Sequence, residues 1–203
     1  NYIEQMLIDK IGRFWVGTVD GLNLFDKETG TFQVIKNDFT DEYSLSGNSI
    51  MDIFEDRAGD IWVGTYLDGV NKLSPKKFVH IRNNPSEKNS LSENKIWAVC
   101  EDRSGLIWIG TETKGLSIYD RKNNTFTNYM NIPGRKGTLS SNSVQVIFED
   151  SKGIIWAGTK NGLNRFNPES KTFTVFNEDK NNPGSLSDDD IVTISEDNEG
   201  YLW

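Results

Sequence analysis

The sequence predicts an all-β fold, a β-propeller-type array of four-stranded antiparallel blades, and three observations carry that prediction. A Gly-x-(Ile/Phe)-Trp-x-Gly-Thr segment starts at Gly12, Gly59, Gly105 and Gly153, and its opening returns as Gly200-Tyr201-Leu202-Trp203. The marker tryptophans Trp15, Trp62, Trp108, Trp156 and Trp203 are therefore 46 to 48 residues apart. A second marker, Ser44-Leu45-Ser46-Gly47-Asn48-Ser49-Ile50, recurs from Ser90, Thr138 and Ser185 with the same period. Between the markers lie short β-branched and aromatic runs punctuated by Gly and Asp. A β-rich repeat of roughly 40 to 50 residues is the signature of propeller arrays, in which each unit buries its apolar face only against its neighbours. The repeats divide as 1–47, 48–93, 94–141 and 142–188, with 189–203 a partial fifth. The expectation is one partial propeller of about four blades plus two strands of a fifth.

Each element of the repeat has its own justification. The first strand, such as Ile50 to Glu55, runs into an Asp-x-x-Gly corner that recurs at Asp9, Asp56, Asp102, Asp150 and Asp197. Asp at the first and Gly at the fourth position suit a type I turn, because the carboxylate accepts nearby backbone N–H groups. The second strand is the Ile61 to Thr65 segment, β-branched and aromatic apart from one glycine that admits a close neighbour. Turns at Asp20-Gly21, Asp68-Gly69, Lys114-Gly115 and Asn161-Gly162 follow, where glycine tolerates positive φ. Third strands (Leu22 to Phe25, Val70 to Leu73, Leu116 to Tyr119, Leu163 to Phe166) lead to fourth strands (Phe32 to Ile35, Phe78 to Ile81, Phe126 to Tyr129, Phe173 to Phe176). The connections to the next blade are the longest: 36–47, 82–93, 130–141 and 177–188. Long loops on a rigid scaffold are where recognition is usually placed.

Composition narrows the function classes. A formal net charge of −8, with no Lys/Arg cluster longer than two residues, lacks the electrostatic footprint of a nucleic-acid binder. Cys100 is the only cysteine, which excludes an internal disulfide and multi-cysteine metal sites; it reads as a small buried hydrophobe. No apolar run approaches the roughly 18 residues of a membrane span. His80, the one histidine, falls in a fourth strand with no nucleophile or carboxylate partner at motif spacing, and reads as an outer-strand side chain. The acidic stretches Asp38, Asp41, Glu42 and Asp188 to Asp190 show no EF-hand ligand pattern and read as solvated loops. No catalytic constellation, cofactor or metal is called for.

The Asp-x-x-Gly corner, the Ile-Trp-x-Gly-Thr strand, the Gly-Leu-Asn strand and the Ser-Leu-Ser-x-Asn loop together resemble the two-component regulator propeller repeat, over essentially the whole chain. That resemblance implies the sensor half of a hybrid two-component system of Bacteroides-type bacteria: periplasmic, held at the inner membrane by a longer parent protein, and reporting oligosaccharides to a histidine kinase absent from this chain.

Regularity identifies scaffold, so function is sought where the copies disagree. The five marker tryptophans read as blade-to-blade core. Trp97 occupies a first-strand slot that holds Glu4, Met51, Gln145 and Val192 in the other copies, so packing does not fix it. In a propeller the first strand usually lines the central channel, which makes Trp97, Met51 and Gln145 candidate ligand contacts. The turns after the second strand vary too, adding Tyr66, Glu112 and Lys160, and Tyr43 and Arg135 on the long loops complete a polar and aromatic rim. The leading reading is a non-catalytic module that binds a carbohydrate. The alternatives are an interaction scaffold with no small ligand and, less favoured, a propeller lyase or glycosidase. Expected partners are an oligosaccharide, further blades or domains of the parent chain, and a second copy paired through open blade edges.

Overall fold

The computed structural model describes residues 2–74 and 77–203; Asn1, where the first repeat opens, lies outside them. All regular structure among the described residues is β. The first sheet contains β1 (Ile3–Ile8), β2 (Phe14–Thr18), β3 (Gly21–Asp26) and β4 (Thr31–Ile35). The second contains β5 (Ile50–Glu55), β6 (Ile61–Thr65), β7 (Val70–Ser74) and β8 (Lys77–Ile81). In the third are β9 (Ile96–Glu101), β10 (Ile107–Thr111), β11 (Leu116–Asp120) and β12 (Thr125–Tyr129), and in the fourth β13 (Val144–Glu149), β14 (Ile155–Thr159), β15 (Gly162–Asn167) and β16 (Thr172–Phe176). Each sheet keeps sequence order, and each is one antiparallel blade. The predicted strands of the four complete repeats are met to within a residue. The chain divides into two compact units, Asn1–Val99 and Cys100–Trp203.

The corner aspartate does more than cap its turn. One oxygen accepts the N–H four residues on, and the other accepts the indole N–H of the marker tryptophan six residues on. That indole bond measures 2.8 Å at Asp9–Trp15, 2.9 Å at Asp56–Trp62, 2.7 Å at Asp102–Trp108 and 2.9 Å at Asp150–Trp156. Each tryptophan can therefore enter the core without an unsatisfied donor. The second-strand glycine is the seat for the next repeat. A Cβ on Gly17 would lie 2.7 Å from Ile50 Cγ2, and one on Gly64 would lie 2.8 Å from Ile96 Cγ2. Leading strand residues thus act as knobs on a glycine seat, which fixes the spacing of successive sheets.

In the first unit Trp15, Leu22, Leu45, Ile50, Ile53, Ile61, Val63 and Phe78 form one buried cluster between the first two sheets. The second unit is more aromatic. Phe166 contacts Trp108, Tyr129 and Phe173 at centroid separations of 5.1, 5.6 and 5.2 Å.

The long loops are stitched down. The Leu of the first three Ser/Thr-Leu-Ser motifs is fully buried, at Leu45, Leu91 and Leu139, and Leu186 of the fourth is half-buried. The following Asn side chain accepts a backbone N–H from the start of its own loop: Asn37 to Asn48, Asn83 to Asn94 and Asn131 to Asn142, each at 2.7 Å.

Three expectations are corrected. The fifth repeat forms no strand; it is a Glu196–Leu202 bridge with reciprocal Ser195–Trp203 backbone bonds, because two short strands without a third are marginal. Trp203 keeps its bond to Asp197 at 2.8 Å but is 76% exposed, and Trp156 is only half-buried, since no complete sheet covers them in this chain. Cys100 is half-buried rather than buried, its thiol facing the Glu101 carbonyl at 3.7 Å.

Candidate functional site

The variable first-strand slot is a bulge. In β1, β5 and β13 the ladder passes from Ile3, Ile50 and Val144 directly to Gln5, Asp52 and Val146, leaving Glu4, Met51 and Gln145 unpaired. A bulged residue carries no ladder bond, so its side chain is free to vary and is re-aimed. Trp97 holds the same slot in β9.

Trp97 is half-buried, and its indole N–H is buried without a partner among the described residues. Tyr66, just after β6, meets it edge-on, with ring centroids 6.3 Å apart and planes at 81°. The Lys95 ammonium stands 5.4 Å from the Tyr66 ring. These three residues form an aromatic and cationic group on the first unit. An unmet buried donor costs about 1–3 kcal/mol until an acceptor arrives.

The other predicted site residues fall elsewhere. Tyr43 packs under the Lys77 ammonium, 3.8 Å from its ring, and its carbonyl accepts the Phe78 N–H; it therefore serves β8. Met51 is half-buried in its bulge. In the second unit Gln145 donates to Asp190 at 2.5 Å and so anchors the start of the fifth repeat. Glu112 is half-buried after β10, and Lys160 is exposed, its backbone N–H bonded to the Ser143 carbonyl at 3.3 Å. Arg135 borders a polar cleft of about 630 Å³ beside the third long loop. His80 donates to or accepts from nothing catalytic; its Nε2 lies 2.8 Å from the Ser44 carbonyl oxygen. Among the described residues no group of three or more His, Cys, Asp or Glu is placed to hold a metal ion.

Sequence reasoning missed Asp52. It stands beside the bulge in β5 and accepts from Gln5 Nε2 at 3.1 Å, Ile53 N–H at 2.9 Å and Val99 N–H at 2.6 Å. One carboxylate thus ties the first strands of three successive repeats. Burial pushes its carboxyl up from the ordinary value, outweighing the hydrogen bonds that favour the ionised form. The signal was available, since the equivalent residues Gln5, Ala98, Val146 and Thr193 include no acid.

Four meandering sheets, glycine-seated and joined by stitched loops, define a chain built of β-propeller blades. Residues 44–67, 90–113 and 138–161 match the family model of the two component regulator propeller. Each match runs from the Ser/Thr-Leu-Ser loop through the bulged first strand, the corner and the tryptophan strand. A search of curated proteins found no match. Among solved structures the chain is similar to the extracellular domain of a putative hybrid two component system from B. thetaiotaomicron, with TM-score 0.77 and 24% identity over 98% of this chain and 25% of that one. A second such domain from that organism gives TM-score 0.63 and 21% identity over 100% of this chain and 38% of that one. Virginiamycin B lyase from Staphylococcus aureus gives 0.66 and 16% over 98% and 61%. These likenesses establish the propeller fold. The chain spans between a quarter and two fifths of the length of the two extracellular domains.

Proposed function

We propose that the chain is a ligand-sensing segment of an extracytoplasmic hybrid two-component sensor, and that it binds an oligosaccharide without chemistry. The observation that carries this reading is the Trp97–Tyr66 pair with its buried, partnerless indole N–H. Saccharides present C–H faces that pack on aromatic rings and hydroxyl oxygens that accept from a fixed donor. Extracellular placement of similar domains supports an extracytoplasmic, periplasmic location, with a membrane anchor and a kinase supplied by a longer protein. The segment signals by binding one arrangement of the sensor more tightly than another, and transmits no more energy than that difference.

Calorimetry against a panel of neutral and acidic oligosaccharides tests the reading. A binding member should lose at least about tenfold in affinity in Trp97→Ala, with the thermal midpoint shifting little, because a half-buried side chain contributes modestly to the core. Silence across the panel, or unchanged affinity in the variant, defeats it. An interaction scaffold is the second reading, favoured by the apolar face of the first sheet, where Ile3, Met6, Phe32 and Val34 are 49 to 60% exposed. Further blades of the parent chain, or a second copy, are the partners that face fits.

A further inference from the structure

The third long loop, 130–141, differs from its three counterparts in charge. It carries Arg135 and Lys136 and no acid, whereas 36–47 holds Asp38, Asp41 and Glu42, 82–93 holds Glu87 and Glu93, and 177–188 holds Glu178, Asp179 and Asp188. In a chain of net charge −8 this is an isolated cationic spot. Neither the Arg135 guanidinium nor the Lys136 ammonium has a hydrogen-bond or ion-pair partner among the described residues, although both stand at the edge of the cleft of about 630 Å³. The backbone that presents them is fixed. The Arg135 N–H donates to the Ile132 carbonyl at 3.0 Å, the Arg135 carbonyl accepts from Thr138 Oγ1 at 3.0 Å, and the Gly137 carbonyl accepts the Phe173 N–H at 2.9 Å.

The rest of the lining has a different chemistry. Asp189 uses Oδ1 to accept from Glu178 N–H at 2.6 Å and Asn177 Nδ2 at 3.1 Å, which leaves Oδ2 available as an acceptor. Ile132 and Val175 supply exposed apolar surface, at 45% and 37%. The lining of the cleft therefore combines two unpaired cations, a carboxylate acceptor and apolar surface. A bare inorganic anion would meet Asp189 unfavourably. A ligand that carries both an anionic group and hydroxyl donors satisfies both chemistries.

We propose that this cleft binds an acidic saccharide, its carboxylate or sulfate ester held by Arg135 and Lys136 and its hydroxyls donated to Asp189. The guanidinium fork matches both oxyanions, and such charge-assisted bonds are stronger than neutral ones. The proposal rests on the saccharide reading for the body of the ligand and is independent of it in the charge and in the site.

The test titrates the chain with digalacturonate, galactose 6-sulfate, neutral digalactose and inorganic sulfate. At low ionic strength one or both sugar acids should bind at least about tenfold tighter than digalactose, and the preference should shrink toward physiological salt as screening sets in. The variant R135A/K136A should abolish the preference and leave the thermal midpoint unchanged, both side chains being exposed and partnerless. Absence of a charge preference, its survival in R135A/K136A, or sulfate binding as tightly as the sugar acids would overturn the assignment. Oligosaccharide binding that depends on Trp97 but shows no charge preference would leave the saccharide reading standing and sink this one alone.

Discussion

Asp150 shows how much one side chain does in this repeat. It is 5% exposed and accepts the Trp156 indole N–H at 2.9 Å, the Ile154 N–H at 2.8 Å and the Lys152 N–H at 3.0 Å. Burial alone would raise its carboxyl, but the bonds from Trp156, Ile154 and Lys152 outweigh it and the group lies below the ordinary carboxylate value. Asp9 is lowered in the same way, with burial opposed by bonds from Trp15 and Arg13. A carboxyl depressed by folding contributes stability that is complete above its unfolded pKa of about 4 and is lost as pH falls through the folded value. Urea titrations should therefore show a midpoint that is flat near neutrality and falls below about pH 4. Asp150→Ala should cost about 2–4 kcal/mol at pH 7, since it strands an indole N–H and two backbone donors, and should flatten part of the acid limb. An Asp150→Ala chain as stable as the parent at pH 7 would contradict this account of the corner.

Between elements, the sheets are joined by a device that the motif search did not isolate. At three corners the residue after the Asp reaches a Glu of the next repeat, which closes the first strand there or, at Glu196, holds the equivalent position. Lys10 N–H donates to Glu55 at 2.7 Å, Arg103 N–H to Glu149 at 3.1 Å and Ser151 N–H to Glu196 at 2.6 Å. The side chains add a second link. Lys10 Nζ donates to the Asp56 carbonyl at 2.7 Å, and Arg103 Nη2 to the Asp150 and Ser151 carbonyls, each at 2.7 Å. Because the acceptor is a half-buried carboxylate, Glu149→Ala should cost about 1–2 kcal/mol, more than an ordinary exposed ion pair. Hydrogen exchange should show faster opening at Arg103 in that variant, while the Glu149→Gln chain, which keeps one acceptor oxygen, should recover part of the loss. Equal protection in all three chains would remove the latch from the stability account. Strand positions, corners and the glycine seats were legible in the sequence because each depends on local chemistry repeated four or five times. The latch was not, because it joins residues about one repeat apart and has no local signature; the lone acid at Asp52 was visible, but its bonds to the neighbouring first strands were not. Trp97 was singled out by asking where packing fails to dictate a residue, and in three other copies that slot is a bulge in the ladder. For Tyr43 and Gln145, rim position alone did not show that each side chain is engaged within the chain, Tyr43 under Lys77 and Gln145 on Asp190.

At the scale of the whole molecule the first sheet presents a face that its own chain leaves open. Ile3 and Met6 hold the slots filled elsewhere by Ile50 and Ile53, which are 0% and 4% exposed, yet they are themselves 60% and 56% exposed. Ile50 achieves its burial by sitting against Gly17; Ile3 has the same shape and no such seat among the described residues of its unit. At the position where Glu55 and Glu149 take their latches, β1 carries Ile8, 69% exposed, so this face offers apolar contact without the carboxylate that registers a neighbouring blade. Covering Ile3, Met6 and Ile8 removes three large side chains from water, each worth about 1.5–3 kcal/mol when fully buried. That is enough to drive association but too little directional bonding to fix one register. The chain should therefore self-associate in a concentration-dependent manner, with a broad rather than single-species distribution in sedimentation velocity over roughly 1–100 μM. Ile3→Lys with Met6→Lys should shift that distribution to monomer without lowering the thermal midpoint, since both side chains already face solvent. Monomeric behaviour of the unmodified chain throughout that range, or association that persists in the double variant, would show that this face is inert.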